Sequence, residues 1–481
     1  MNRGQGAGGG TQAGLLAVGD RALANPERGG IRGTWVLWLT CLLAGLAATA
    51  VSEAQQARPW EQIPIPPLHA FHPQQPKRIE LKNGIVIFLQ EDHELPFISG
   101  SVLIPGGSRD VEPAQAGLVD LYGQAWRTSG SEKMNGDAMD EFLEARAAHI
   151  ETSGDVDSTA LAWDSLKGDA DQVFALAMDL LFHPRFDAQK LELARQQELA
   201  TIARVKLADL EEWHDRSLRG RLIVGISGDF DSEAMEAKVR AAFEGLPAVT
   251  YQPARRDEFA GPRPGVYFIN KPDVNQSNVE IVALGTDRRN PDRATLAVMN
   301  DILGGGFASR LFQTVRTELG LAYAVGGGFA LPYDHPGTLR VEVITKSAST
   351  VDATRASLAE IAGLKRKPFT ETELKRAKDD ILNSFLFRYD TPGKILRERE
   401  LLEFYGYPAD YLETYKAEVE KVRLQDLTAA AAKYVQPEKL AVLVVGNGAE
   451  IKPGLEGLNL GAVMPIDIAI PQPQGAAEKQ Q

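Results

Sequence analysis

Residues Gly304 to Gly328 read GGGFASRLFQTVRTELGLAYAVGGG. Three glycines open the stretch, a segment of helical period follows, one glycine stops it, and a short alternating strand runs into three more glycines. Leu311, Phe312, Val315 and Leu319 fall at i, i+1, i+4 and i+8, which predicts one apolar stripe on a helix, with Arg310, Arg316 and Glu318 off it. Gly320 takes the C′ place expected after such a helix. Beyond it Leu321, Tyr323 and Val325 alternate with Ala322 and Ala324, so the three large side chains are expected on one face of a strand. Arg316 and Tyr323 lie seven residues apart across the turn, and a helix–turn–strand unit can bring two such side chains together.

The run SRLFQTVRTELGLAYAV resembles the C-terminal half of the pitrilysin/insulinase family of zinc metallopeptidases. The resemblance implies that an Arg and a Tyr at this spacing, here Arg316 and Tyr323, reach the zinc site of the other half or of a partner subunit. Both side chains donate hydrogen bonds, and a peptide carbonyl attacked by water becomes an oxyanion that needs fixed donors. Outside that frame the pair reads as a solvated helix residue and a core residue of a sheet. Gly304, Gly305, Gly306 and Ser309 go with the pair as expected substrate contacts. No Lys-Ser/Thr follows the glycines as it would in a phosphate-binding loop, so they read as a flexible loop before the Arg316 helix.

The chain has 481 residues, 44% hydrophobic and 24% charged, which suits two or more globular domains. Its formal net charge of −13 argues against a nucleic-acid partner. Residues 1–32 are Gly-rich and carry Arg3, Arg21, Arg28 and Arg32; Thr34 to Val51 is an uncharged apolar run, and Ser52-Glu53-Ala54 follows as a small-x-small cleavage site. Residues 1–54 therefore read as a secretory signal, with an uncleaved anchor through 34–51 as the alternative. Either places the protein in the periplasm or outside the cell. The only cysteine, Cys41, lies inside the apolar run in a poor lipidation context, so the mature chain would form no disulfide.

Residues 55–77 form a Pro- and Gln-rich lead-in. Arg78 to Gln90 reads as a hairpin around Lys82-Asn83-Gly84, and Phe97–Ile104 and Thr159–Trp163 as strands. Ala114–Trp126, Gly136–Ala148, Asp169–Phe182 and Asp187–Ala203 read as helices. The second half repeats this plan. Phe186-Asp187-Ala188-Gln189-Lys190-Leu191 lies under Phe369-Thr370-Glu371-Thr372-Glu373-Leu374, and Val205-Lys206-Leu207-Ala208-Asp209-Leu210 under Val422-Arg423-Leu424-Gln425-Asp426-Leu427. The expected fold is α+β: two related domains at 78–250 and 265–465, each a mainly antiparallel sheet packed with helices, with a linker at 251–264 and a tail at 466–481. Between the two matched blocks the first copy is shorter by about 34 residues, corresponding to Asn383–Lys416 of the second. The resemblance places the third zinc ligand, a Glu, near the start of that missing part.

An active member of the resembled family carries H-x-x-E-H on its first long helix: two zinc ligands one turn apart and a Glu as general base. On that register this chain has Asp120, Gly123 and Gln124. None of its seven His is paired at i, i+4; His69 and His72 form H-x-x-H in the lead-in without a third ligand nearby. Gly154-Asp155-Val156-Asp157 has no further spaced acid and reads as a turn, not a calcium loop.

The expectation is thus a subunit that binds no metal itself, pairs with an H-x-x-E-H peptidase subunit holding the zinc, and supplies Arg316 and Tyr323 to a peptide substrate. A non-catalytic assembly protein of the same fold is the alternative, and a standalone peptide-binding protein offering a sheet edge is a third.

Overall fold

The computed structural model describes residues 74–197, 204–252 and 259–468. The signal or anchor segment, Cys41, His69 and His72 lie outside the described residues. Among the described residues no helix is long and apolar enough to cross a membrane.

The first half runs β1 (Lys77–Glu80), β2 (Val86–Glu91), β3 (Phe97–Pro105), α1 (Leu118–Ser129), α2 (Gly136–Glu144), β4 (His149–Gly154), β5 (Ser158–Leu166), α3 (Ala170–Phe182), α4 (Ala188–Gln197), α5 (Leu207–Ser217), β6 (Ile223–Gly228) and α6 (Ser232–Phe243). Its sheet has the order β1-β2-β6-β3-β5-β4, antiparallel except for β2 against β6. The hairpin stands as expected, with Gly84 at φ +91° closing the turn. Helix α1 starts four residues later than expected, because Gly117 at φ +90° breaks it from the short turn Pro113–Gln115. Helix α2 ends at Glu144, and left-handed Ala147 turns the chain into β4. That strand escapes sequence reading, since only Ile150 of its residues is buried.

The second half runs β7 (Gly265–Asn270), β8 (Gln276–Leu284), α7 (Arg293–Gly304), a π-helix (Phe312–Glu318), β9 (Ala322–Phe329), β10 (Thr338–Lys346), α8 (Thr350–Gly363), α9 (Glu371–Arg388), α10 (Pro392–Phe404), α11 (Tyr411–Lys421), α12 (Leu424–Tyr434), β11 (Ala441–Gly446), α13 (Gly448–Leu455) and β12 (Val463–Pro465). Its sheet order, β12-β7-β11-β8-β10-β9, repeats the first over five of its positions, including the parallel pair β7 and β11; only one edge differs, where β12 runs parallel to β7 while β1 runs antiparallel to β2. The chain is an α+β protein of two related halves. The repeated sequence blocks are repeated helix starts. Asp209 accepts from the backbone N–H of Lys206 at 2.7 Å and Asp426 from that of Arg423 at 2.9 Å. Asp187 and Thr370 are instead the N-cap residues of α4 and α9, accepting from the N–H of Gln189 at 2.8 Å and of Glu373 at 3.2 Å, each after a buried Phe.

The extra sequence of the second copy is α10 and α11, and α10 leaves its own half. It lies across β2 and β6 of the first sheet, where Leu396, Leu401 and Phe404 pack on Val86, Phe88, Leu103 and Ile223. Fully burying a side chain such as Leu396 is worth about 1.5–3 kcal/mol, and the half-buried Leu401 and Phe404 add to it, so this helix is a principal tie between the halves. Ion pairs flank it. Glu403 meets both Arg78 and Arg221, Arg109 bridges Asp157 and Asp334, and the Tyr405 hydroxyl donates to Asp157 at 3.0 Å.

Candidate functional site

The glycine run is built for close packing. A Cβ on Gly304 would lie 2.5 Å from the carbonyl oxygen of Gly327, whereas one on Gly306 would meet nothing within 4 Å. The expected flexible loop is instead pinned from inside. Gln313 donates to the carbonyl of Phe307, Arg376 to that of Ala308, and the Ser309 backbone N–H to that of Gly306 at 3.0 Å. Ser309 itself is buried, and its hydroxyl accepts from the N–H of Phe312 at 3.4 Å, so it holds the loop from within and does not face outward. Phe307 stands at the tip, 76% exposed, edge-on to Phe312 with ring centroids 4.9 Å apart.

The helix after the loop differs from its predicted period. Residues Phe312–Glu318 wind as a π-helix, closed by the Leu319 N–H on the Thr314 carbonyl at 3.1 Å, an i to i−5 bond. The wider winding keeps Leu311 and Val315 in the core but carries Leu319 out of the expected stripe, to 53% exposure. Gly320 then takes φ +63°, the left-handed C′ conformation expected of it.

Tyr323 departs from expectation for a second local reason. In the pairing of β9 with β10, Ala324 faces Ile344 and Ala322 faces Thr345, so Tyr323 is the extra residue of a β-bulge. Its side chain is thrown off the face it would share with Val325. Val325 is buried, while Tyr323 is 75% exposed. The π-helix and the bulge together place Arg316 beside Tyr323. The guanidinium carbon lies 5.9 Å from the Tyr323 ring centroid and 4.7 Å over the Phe312 ring. No described carboxylate forms an ion pair with Arg316. Two exposed donors thus stand on one surface, braced by an aromatic ring. Sequence spacing brought out the pair; nothing in the sequence marked the winding or the bulge that presents it. A cavity of about 750 Å³ is lined by Gly304, Gly305, Gly326, Asp301, Arg340 and Tyr411 among others, and neither Arg316 nor Tyr323 lines it.

In the first half Asp120, Gly123 and Gln124 sit on α1. Gly123 is buried against β4, where a Cβ would come within 2.8 Å of the Gly154 backbone nitrogen. A glutamate has no room there, and Asp120 and Gln124 offer no imidazole. The residues present do not fit the zinc of a peptidase. Beneath them Tyr122, Trp126, Phe186 and His214 form an aromatic cluster. His214 Nε2 donates to the Leu181 carbonyl at 2.9 Å, so its Nδ1 accepts from the Tyr122 hydroxyl, also at 2.9 Å. Burial lowers the His214 pKa to about 4, which keeps the ring neutral and structural. The other described histidines, His93, His149, His183 and His335, each pair with an aspartate. Gly154 to Asp157 is the expected turn, closing β4 to β5.

These halves and this degenerate helix define a class. Residues 86–221 match the family described as Insulinase (Peptidase family M16), and residues 204–381 the Peptidase M16 inactive domain. The chain belongs to the M16 peptidase family. It is similar to a non-peptidase homolog YmxG of Helicobacter pylori, 22% identical over 405 residues, covering 76% of this chain and 92% of that one. In fold it is similar to the peptidase M16 inactive domain from Pseudomonas fluorescens, with TM-score 0.69 and 22% identity, covering 78% of this chain and 98% of that one. A protease from Helicobacter pylori has TM-score 0.68 and 14% identity, covering 78% and 100%.

Proposed function

We propose that this M16 chain is the non-zinc subunit of a two-chain peptidase, inactive alone, which lends Arg316 and Tyr323 to a partner carrying H-x-x-E-H. The observation that carries the reading is the exposed pair itself: an arginine without a described ion pair and a tyrosine pushed outward by a bulge, next to a pinned glycine loop. At the mouth of a partner's site the two would orient a peptide carbonyl and donate to the oxyanion formed on it. Gly304 to Gly306 and Phe307 would line the path of the extended peptide. The partner would hold the zinc, and the pair would work outside the cytoplasm.

The test is peptide hydrolysis by this chain co-expressed with the H-x-x-E-H homologue of its own genome. Loss of one fixed donor, in Arg316→Ala or Tyr323→Phe, should lower turnover on the order of a hundredfold. Each chain alone should be inactive, and this one should bind no stoichiometric zinc. The shortened first half favours a second reading, an inactive assembly protein. Chains that associate while both variants cleave like the wild type would establish that reading instead.

A further inference from the structure

Helix α10 brings a carboxylic acid into the seam between the halves. Glu400 is 1% exposed, and its Oε1 accepts from the Ser101 hydroxyl of β3 at 2.7 Å. Directly opposite on β6 is Gly225, where a Cβ would lie 2.0 Å from that same oxygen, so the missing side chain is the slot the carboxyl occupies. The surroundings are Val86, Phe88, Leu103, Ile223 and Leu396. On its own helix Arg397 reaches Oε2 only at 3.6 Å, while Glu403 is engaged by Arg78 and Arg221, and Arg399 by Glu413. From the sheet Ser101 of β3 reaches the carboxyl; on β6 Gly225 has no side chain, with Ile223 and the uncharged Ser227 to either side of it, while β2 carries Val86, Phe88 and a buried Gln90 whose amide atoms have no partner. One hydroxyl and one distant guanidinium are few donors for a buried carboxylate. Burial pushes the acid up to about 7, with Arg397 and Ser101 drawing it back only in part.

We propose that α10 is a proton-operated clasp. With Glu400 neutral the helix seats in the slot above Gly225 and locks the second half onto the first sheet. When the acid releases its proton to solvent, the helix loosens while each half keeps its own core. The halves are therefore held more tightly in mild acid than in mild alkali.

Hydrogen exchange of the full chain between pH 5 and 8.5, expressed as protection relative to intrinsic exchange, reads this directly. Residues 392–404 should lose protection by up to about a hundredfold as pH rises from 5 to about 7 in the wild type and level off above it, whereas Glu400→Gln should hold its protection throughout. Ser101→Ala and Arg397→Ala each remove a group that favours the carboxylate, so each should move the wild-type midpoint to higher pH. Equal protection of α10 at pH 5 and 8.5, or a parallel loss in Glu400→Gln, overturns the proposal. Should Glu400→Gln fail to fold, the Ser101→Ala profile decides: an upward midpoint supports the clasp, and an unmoved one removes it.

Discussion

Arg316 rests on Phe312 as much as it stands beside Tyr323. A guanidinium over such a ring gains about 0.5–1 kcal/mol, so Phe312→Ala should let Arg316 wander and lower the turnover of the proposed two-chain peptidase a few-fold, less than Arg316→Ala. Hydrolysis rates of the three proteins side by side would check the order. Gly123 carries an opposite lesson. Asp120→His, Gly123→Glu and Gln124→His together would write H-x-x-E-H back into α1, yet the glutamate would push into the Gly154 backbone. Overpacking of this kind costs about 1–3 kcal/mol. The triple variant should therefore melt lower than the parent and bind zinc no better, as thermal unfolding and a zinc titration would show. That one helix would carry Asp120, Gly123 and Gln124 was legible in the residues; the packing of β4 against it was not, because a glycine among apolar neighbours looks the same whether or not a strand presses on it.

Among the elements, those with strong local signals were legible. Asn83-Gly84 closed the hairpin, and the capped blocks at Phe186 and Phe369 began their helices. The π-helix and the bulge were hidden, since each adds one residue to a repeat without altering composition. The destination of α10 was hidden too: an amphipathic pattern says that a helix must be covered or cover something, and is silent on which sheet. Leu396→Ala tests that destination. Truncating a buried leucine costs about 2–5 kcal/mol, and here the loss should appear in the coupling between halves. Denaturant unfolding followed by fluorescence should broaden or split into two transitions, while a core change such as Val341→Ala should shift a transition without splitting it.

Across the whole molecule two buried titrating groups oppose each other. His214, lowered to about 4 from an ordinary 6.5, stays neutral when folded, so stability is lost as pH falls from 6.5 toward 4. Glu400, raised to about 7 from 4.5, keeps its proton when folded, so stability is lost as pH rises from 4.5 to 7. Each effect is on the order of 3 kcal/mol, and between pH 4.5 and 6.5 they offset one another. In Glu400→Gln the His214 contribution is no longer offset by this acid. The variant should be more stable than the wild type at pH 8 and should weaken steeply on acidification below 6.5, in denaturant titrations at pH 5, 6, 7 and 8.

The crossing of α10 also sets a schedule for synthesis. The apolar face of β2, β3 and β6 is complete once residue 228 has left the ribosome, yet its cover is not made until residues 392–404 follow. At about 5–20 residues per second the gap lasts from about ten to about thirty seconds. Throughout that interval the nascent chain carries a bare, greasy sheet that any chaperone, or any neighbouring chain, is free to find first.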